Sequence, residues 1–79
     1  MPVISAAQVR AARGLLDWSM VDLAKAARVS VSTVKRFEDG RLAPVSDETV
    51  ASMQDAFETE GVRFLSDDGS GPGLRYRSR

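Results

Sequence analysis

The stretch SMVDLAKAARVSVSTVKRFEDG, residues 19–40, leaves few ways to fold. It holds two serines, Ser19 and Ser30, that can each cap a helix, and it ends on a glycine suited to stop one. Asp22 stands at the capping-box position after Ser19 and favours the positive end of a helix dipole. Leu23, Ala26 and Ala27 then make an apolar face of small residues, which lets another helix approach closely. Val29 breaks that pattern, and Ser30 opens a helix that buries Val34 and Phe37 before Gly40. Two short helices with a tight join are predicted.

Helices are predicted on both sides of this pair. Ser5 and Gln8 make a capping box, and Val9, Ala12 and Leu16 recur at helical spacing, so a first helix runs to about Trp18. Gly14 inside it costs about 1 kcal/mol relative to alanine. That glycine either permits close packing or is simply tolerated. Pro44 discourages helix at Ala43, and a fourth helix from about Ser46 or Asp47 carries Val50, Met53 and Phe57 before Gly61 closes it. Residues 1–60 thus read as a four-helix unit.

Residues 61–79 change period. Val62 and Phe64 alternate with Arg63 and Leu65, and Leu74 and Tyr76 alternate with Arg75 and Arg77, on either side of the turn-rich SDDGSGPG. This is either a strand pair around a loop or a disordered tail. An isolated hairpin is marginal in water, so an ordered one must pack on the helices or pair with a second chain. The fold class expected is mainly α, four helices with a short C-terminal β-hairpin or strand pair.

Composition removes several functions. At 79 residues the chain is one small domain, and it has neither cysteine nor histidine. Disulfides are excluded and no zinc or other metal site is expected, nor any cofactor. No apolar run reaches the roughly 18 residues a membrane span requires, and MPVISAAQ is no signal peptide. A cytoplasmic chain without a membrane partner is expected. No glycine loop has P-loop or dinucleotide spacing, and the chain is too small for a sizeable pocket, so neither an enzyme nor a small-molecule ligand is expected. Asp67 and Asp68 do not match an EF-hand, and turn formation accounts for them better.

The helix pair suits a helix-turn-helix, in which the second helix enters the major groove with its N-terminal side chains at base edges. Leu23, Ala24 and Ala27 would serve the first helix, Val29 the turn, and Val34 and Phe37 the inner side of the reader. Val31, Ser32, Lys35 and Arg36 then face outward, with Thr33 toward the flank. A plain helical bundle can also show two short capped helices. Two details favour DNA: Val31 is an apolar residue that folding does not need outside, able to meet a thymine methyl, and arginine is the commonest reader of guanine.

The segment AARGLLDWSMVDLAKAARVSVSTVKRFEDGRLAP resembles the Cro/C1-type helix-turn-helix of phage repressors and bacterial xenobiotic-response-element regulators. The marks are R(A/G)xxxW(S) and DLAxxAxVSxSTVxRFExGxxxP in one register, over roughly residues 5–60. The resemblance implies base reading by Val31, Ser32 and Arg36. It implies backbone contacts from Thr33, Lys35 and Arg41, and an ion pair of Arg13 with Glu38 that orients the reader. One position departs from it: relatives usually open the second helix with a glutamine that holds phosphate, and here Met20 stands there. Ser19 and the helix N-terminus remain as phosphate donors.

The chain carries 11 basic and 11 acidic residues, unevenly placed. Residues 1–37 sum to +4, residues 38–68 to −7 and residues 69–79 to +3. Fields act over about a Debye length, roughly 8–10 Å, so a basic reading face and an acidic back can coexist. The expectation is a dimeric repressor of double-stranded DNA at near-palindromic operators. Its dimer would use either Phe64, Leu74 and Tyr76 of the tail or the fourth helix around Met53 and Phe57. The competing reading is a protein-binding antitoxin or antiactivator on the same scaffold.

Overall fold

The computed structural model describes residues 4–40 and 44–77. Four helices come first: α1 (Ala6–Leu16), α2 (Met20–Ala27), α3 (Val31–Asp39) and α4 (Asp47–Thr59). Two antiparallel strands follow, β1 (Val62–Leu65) and β2 (Gly73–Tyr76). This is the mainly α class with a C-terminal strand pair that the patterning predicts, and the tail is an ordered hairpin. No helix among the described residues is long and apolar enough to cross a membrane.

Each helix begins on a serine. The hydroxyls of Ser5, Ser19, Ser30 and Ser46 accept from the backbone N–H groups of Gln8, Asp22, Thr33 and Thr49. These caps satisfy donors that the first turn leaves open. Gly40 ends α3 in the left-handed region at φ 73°. The other two early stops fall on ordinary residues, Asp17 at φ 56° and Arg28 at φ 60°. Consequently α1 stops at Leu16, short of the expected Trp18. The N–H of Trp18 donates to the carbonyl of Arg13, and its ring stacks on Phe57 with centroids 5.5 Å apart. Trp18 thus belongs to the apolar stripe without belonging to the helix.

Every element contributes to one core. Its largest fully buried side chains are Phe57, Leu23, Met53, Val9 and Val34. Ala24 and Ala27 are buried beside Leu23, whereas Ala26 faces outward, so the inner side of α2 is Leu23, Ala24 and Ala27. Phe57 lies at the centre, between Trp18 and the edge of Phe64 at 5.8 Å.

The hairpin packs on α1 and α4. In its register Val62 lies opposite Tyr76, Arg63 opposite Arg75, Phe64 opposite Leu74, and Leu65 opposite Gly73. A buried amide joins it to the helices. The Gln8 Oε1 accepts from the N–H of Ser5 at 2.9 Å, while its Nε2 donates to the carbonyls of Gly73 at 3.0 Å and Leu65 at 3.4 Å. The capping-box residue therefore also holds the far end of the chain. In the hairpin loop, Asp67 Oδ1 accepts from the N–H groups of Gly69 and Gly71, and these bonds lower its pKa.

Two predictions follow from this packing. A Cβ at Gly14 would meet nothing within 4 Å, so this glycine is tolerated and does not serve close packing. Gly14→Ala should stabilise the chain by about 1 kcal/mol, raising the melting temperature by about 4–8 °C; an unchanged melt would refute it. Gln8→Ala leaves two half-enclosed carbonyls short of a donor and should cost about 1–3 kcal/mol. Hydrogen exchange should then quicken more in β1 and β2 than in α2 and α3, and uniform quickening would count against the latch.

Candidate nucleic-acid interface

Helix α3 is held from two sides. Its inner Val34 is fully buried and Phe37 half-buried against the core, and the small Ala24 and Ala27 of α2 permit the approach. Val29 in the turn is half-buried, with its N–H donating to the carbonyl of Ala24. At about 100° per residue, Val31, Lys35, Ser32 and Arg36 fall within one outward arc of about 140°.

The chemistry along that arc is varied. Val31 is 41% exposed, an apolar side chain presented to water at the start of the helix. Ser30 Oγ lies 3.0 Å from Ser32 Oγ and 2.7 Å from Thr33 Oγ1, so three hydroxyls share protons at the N-terminus of α3. A hydroxyl has one donor and two acceptor positions, so Ser32 keeps capacity for an outside partner. Lys35 is exposed. Arg36 is half-buried, and its Nε is the buried side-chain donor that lacks a partner among the described residues. An unpaired buried donor costs free energy that a bound acceptor would return.

At the start of α2 the expected phosphate contact is less free. The N–H of Ser19 donates to Asp22 Oδ2 at 2.9 Å, and the N–H of Asp22 donates to Ser19 Oγ at 3.0 Å. Hydrogen bonds from the Ser19 N–H and the Ser19 hydroxyl lower the Asp22 pKa, so a carboxylate occupies Ser19 donors that a phosphate would use. Met20 is half-buried against the core, which gives it a packing role. Arg41 lies outside the described residues.

Arg13 and Glu38 meet through two parallel bonds, Nε to Oε2 at 2.8 Å and Nη2 to Oε1 at 2.9 Å. The Glu38 side chain is 3% exposed and that of Arg13 19%. Arg13 Nη1 also donates to the carbonyl of Trp18 at 3.0 Å, and Arg10 Nη1 donates to the carbonyl of Glu38 at 2.8 Å. Hydrogen bonding to Glu38 raises the Arg13 pKa further, so the cation is permanent. From the sequence Arg10 is legible only as charge. Its spacing of three from Arg13 places both on one face of α1, and that was the available signal.

Of the tail residues expected at a dimer contact, Phe64 and Leu74 are half-buried and pack on this chain's own core. Tyr76 is 38% exposed.

The ion pair sets the orientation of α3, so removing one partner should be costly. Glu38→Ala leaves Arg13 largely enclosed and uncompensated, and should destabilise by about 3 kcal/mol. In urea the midpoint should fall with an unchanged slope. The double variant Arg13→Met/Glu38→Leu should recover most of the loss. A loss below about 1 kcal/mol for Glu38→Ala would mean the pair acts as a solvated surface pair.

No curated protein matches the chain. A family model described as a helix-turn-helix domain matches residues 6–64, from the start of α1 to Phe64 in β1. With that match over most of its length, and with α2 and α3 joined by a tight turn, the chain belongs to the helix-turn-helix domain family of DNA-binding regulators.

Proposed function

We propose that this chain is a sequence-specific transcriptional regulator of the Cro/C1 type, a cytoplasmic homodimeric repressor that reads near-palindromic operators in the major groove. The observation that carries the reading is Arg36, a half-buried arginine on the outer arc of α3 whose Nε lacks a partner. Turned outward into the groove, the Arg36 guanidinium would pair bidentately with guanine and gain the acceptor that its Nε lacks. Val31 meets a thymine methyl and Ser32 a base edge, while Thr33 and Lys35 face phosphates. A dimer presents two readers about one helical turn apart, roughly 34 Å, and its symmetry selects the palindrome.

The ionised Asp22 and the packed Met20 support a modest electrostatic grip, because α2 brings no cation or free amide to the phosphates there. Specificity then rests on α3 and on two half-sites bound together. Random-site selection with the purified chain, followed by anisotropy titrations at several salt concentrations, tests this. Arg36→Ala should weaken the selected site by about 10- to 100-fold and relax one base position. Lys35→Ala should weaken all sequences alike and reduce the salt slope by about 1. Absence of any salt-sensitive, sequence-preferring binding would overturn the reading in favour of a protein-binding module.

A further inference from the structure

The hairpin carries a charge arrangement that folding alone does not explain. Arg63 lies directly opposite Arg75 in the register, and the N–H of Arg77 donates to the carbonyl of Gly61, extending the ladder by one pair. Like charges directly opposite destabilise a strand pair. Alternation puts Val62, Phe64 and Leu74 toward the core and the three arginines on the other face, where all are exposed. None of the three pairs with a carboxylate among the described residues.

The helix beside them has the opposite defect. The α4 segment DETVASMQDAFET contains four acids and no basic residue. At about 100° per residue Asp47, Glu48, Asp55 and Glu58 share one arc of about 100°, and none is in an ion pair among the described residues. The Glu58 carboxylate accepts from Gln54 Nε2 at 3.1 Å. The two surfaces adjoin: Glu58 and the three arginines line one open groove of about 960 Å³ at the end of α4.

We infer that the arginine face of the hairpin docks on the acidic stripe of α4 from a second copy of this chain, reciprocally about a two-fold axis. A two-fold contact uses one self-complementary patch, and a positive half next to a negative half is such a patch. The occupant is a second copy because a nucleic acid entering this groove would meet the Glu58 carboxylate and leave the acidic stripe of α4 without a partner. A second copy matches both signs. Its approach is not opposed by bulk repulsion either, because the net charge is zero. This inference rests on the dimeric regulator proposed above and names the surface that makes the dimer.

Sedimentation velocity on the full chain, without DNA, tests it. The wild type should dimerise, with a dissociation constant at least about tenfold larger in 0.5 M than in 0.05 M salt. Arg63→Glu/Arg75→Glu and Asp55→Lys/Glu58→Lys should each be monomeric while keeping the helical circular dichroism of the wild type. Mixed in equal amounts they should form a heterodimer, since both reciprocal contacts then pair opposite charges. If either reversal fails to fold, Arg63→Gln/Arg75→Gln should weaken the wild-type dimer by about tenfold. A wild type that stays monomeric at low salt would overturn the inference, as would a dimer indifferent to the reversals. So would loss of DNA binding in the arginine variant with no dimer restored by mixing, which would assign the face to nucleic acid. A dimer made by this exchange in a chain with no sequence preference would leave the inference standing and sink only the regulator reading.

Discussion

The fork between Arg13 and Glu38 is the interaction on which the geometry of the reader depends. Packing alone positions α3 loosely, because its buried apolar side chains are few: Val34 is enclosed and Phe37 only half so, while Val31, Ser32 and Lys35 are exposed. Two parallel bonds between a nearly enclosed carboxylate and a guanidinium on α1 add direction as well as attraction. The same guanidinium holds the carbonyl of Trp18, and Arg10 holds that of Glu38, so the start of α2 and the end of α3 are set from one helix. Moving any one of these elements would leave a desolvated charge without its partner.

A second constraint is electrical. Half of the charged residues are acids, and one of them, the exposed Asp39, ends α3 on the same arc as Lys35 and Arg36. Four more acids lie on α4 and three arginines on the exposed face of the hairpin. Helix α3 itself balances Lys35 and Arg36 against Glu38 and Asp39, but Glu38 is buried in its pair with Arg13, so the first two turns of the outer arc keep two bases and no acid. Only local fields matter at the distances over which salt screens charge. Asp22, the acid of α2, is committed to capping that helix.

Much of the helical plan was legible because capping and periodicity are local. A serine before each apolar run needs only its own N3 amide, and Gly40 needs only its own φ. Where local rules competed, the reading slipped. Trp18 continues the stripe of α1 but lies beyond its end, and Ala26 fits an apolar face on composition while Ala24 fills it. Gln8 reads as a capping residue from sequence and gives no hint that its amide also reaches two strand carbonyls near the far end of the chain. Asp17 and Arg28 as left-handed stops had no sequence signal, since glycine is the residue that announces such a position.

The sequence by itself determined the four helices, the change of period after Gly61, and which residues of α3 lie on its outer side. Each follows from hydrogen bonds and spacings within a few residues. The tertiary structure alone decided that the tail is an ordered hairpin and that Phe64 and Leu74 spend their apolar surface on this chain's own core. It also decided that Met20 packs and that Arg36 keeps a donor without a partner. Those outcomes depend on which surfaces meet at long sequence separation, where burial and the satisfaction of polar groups outweigh local preference.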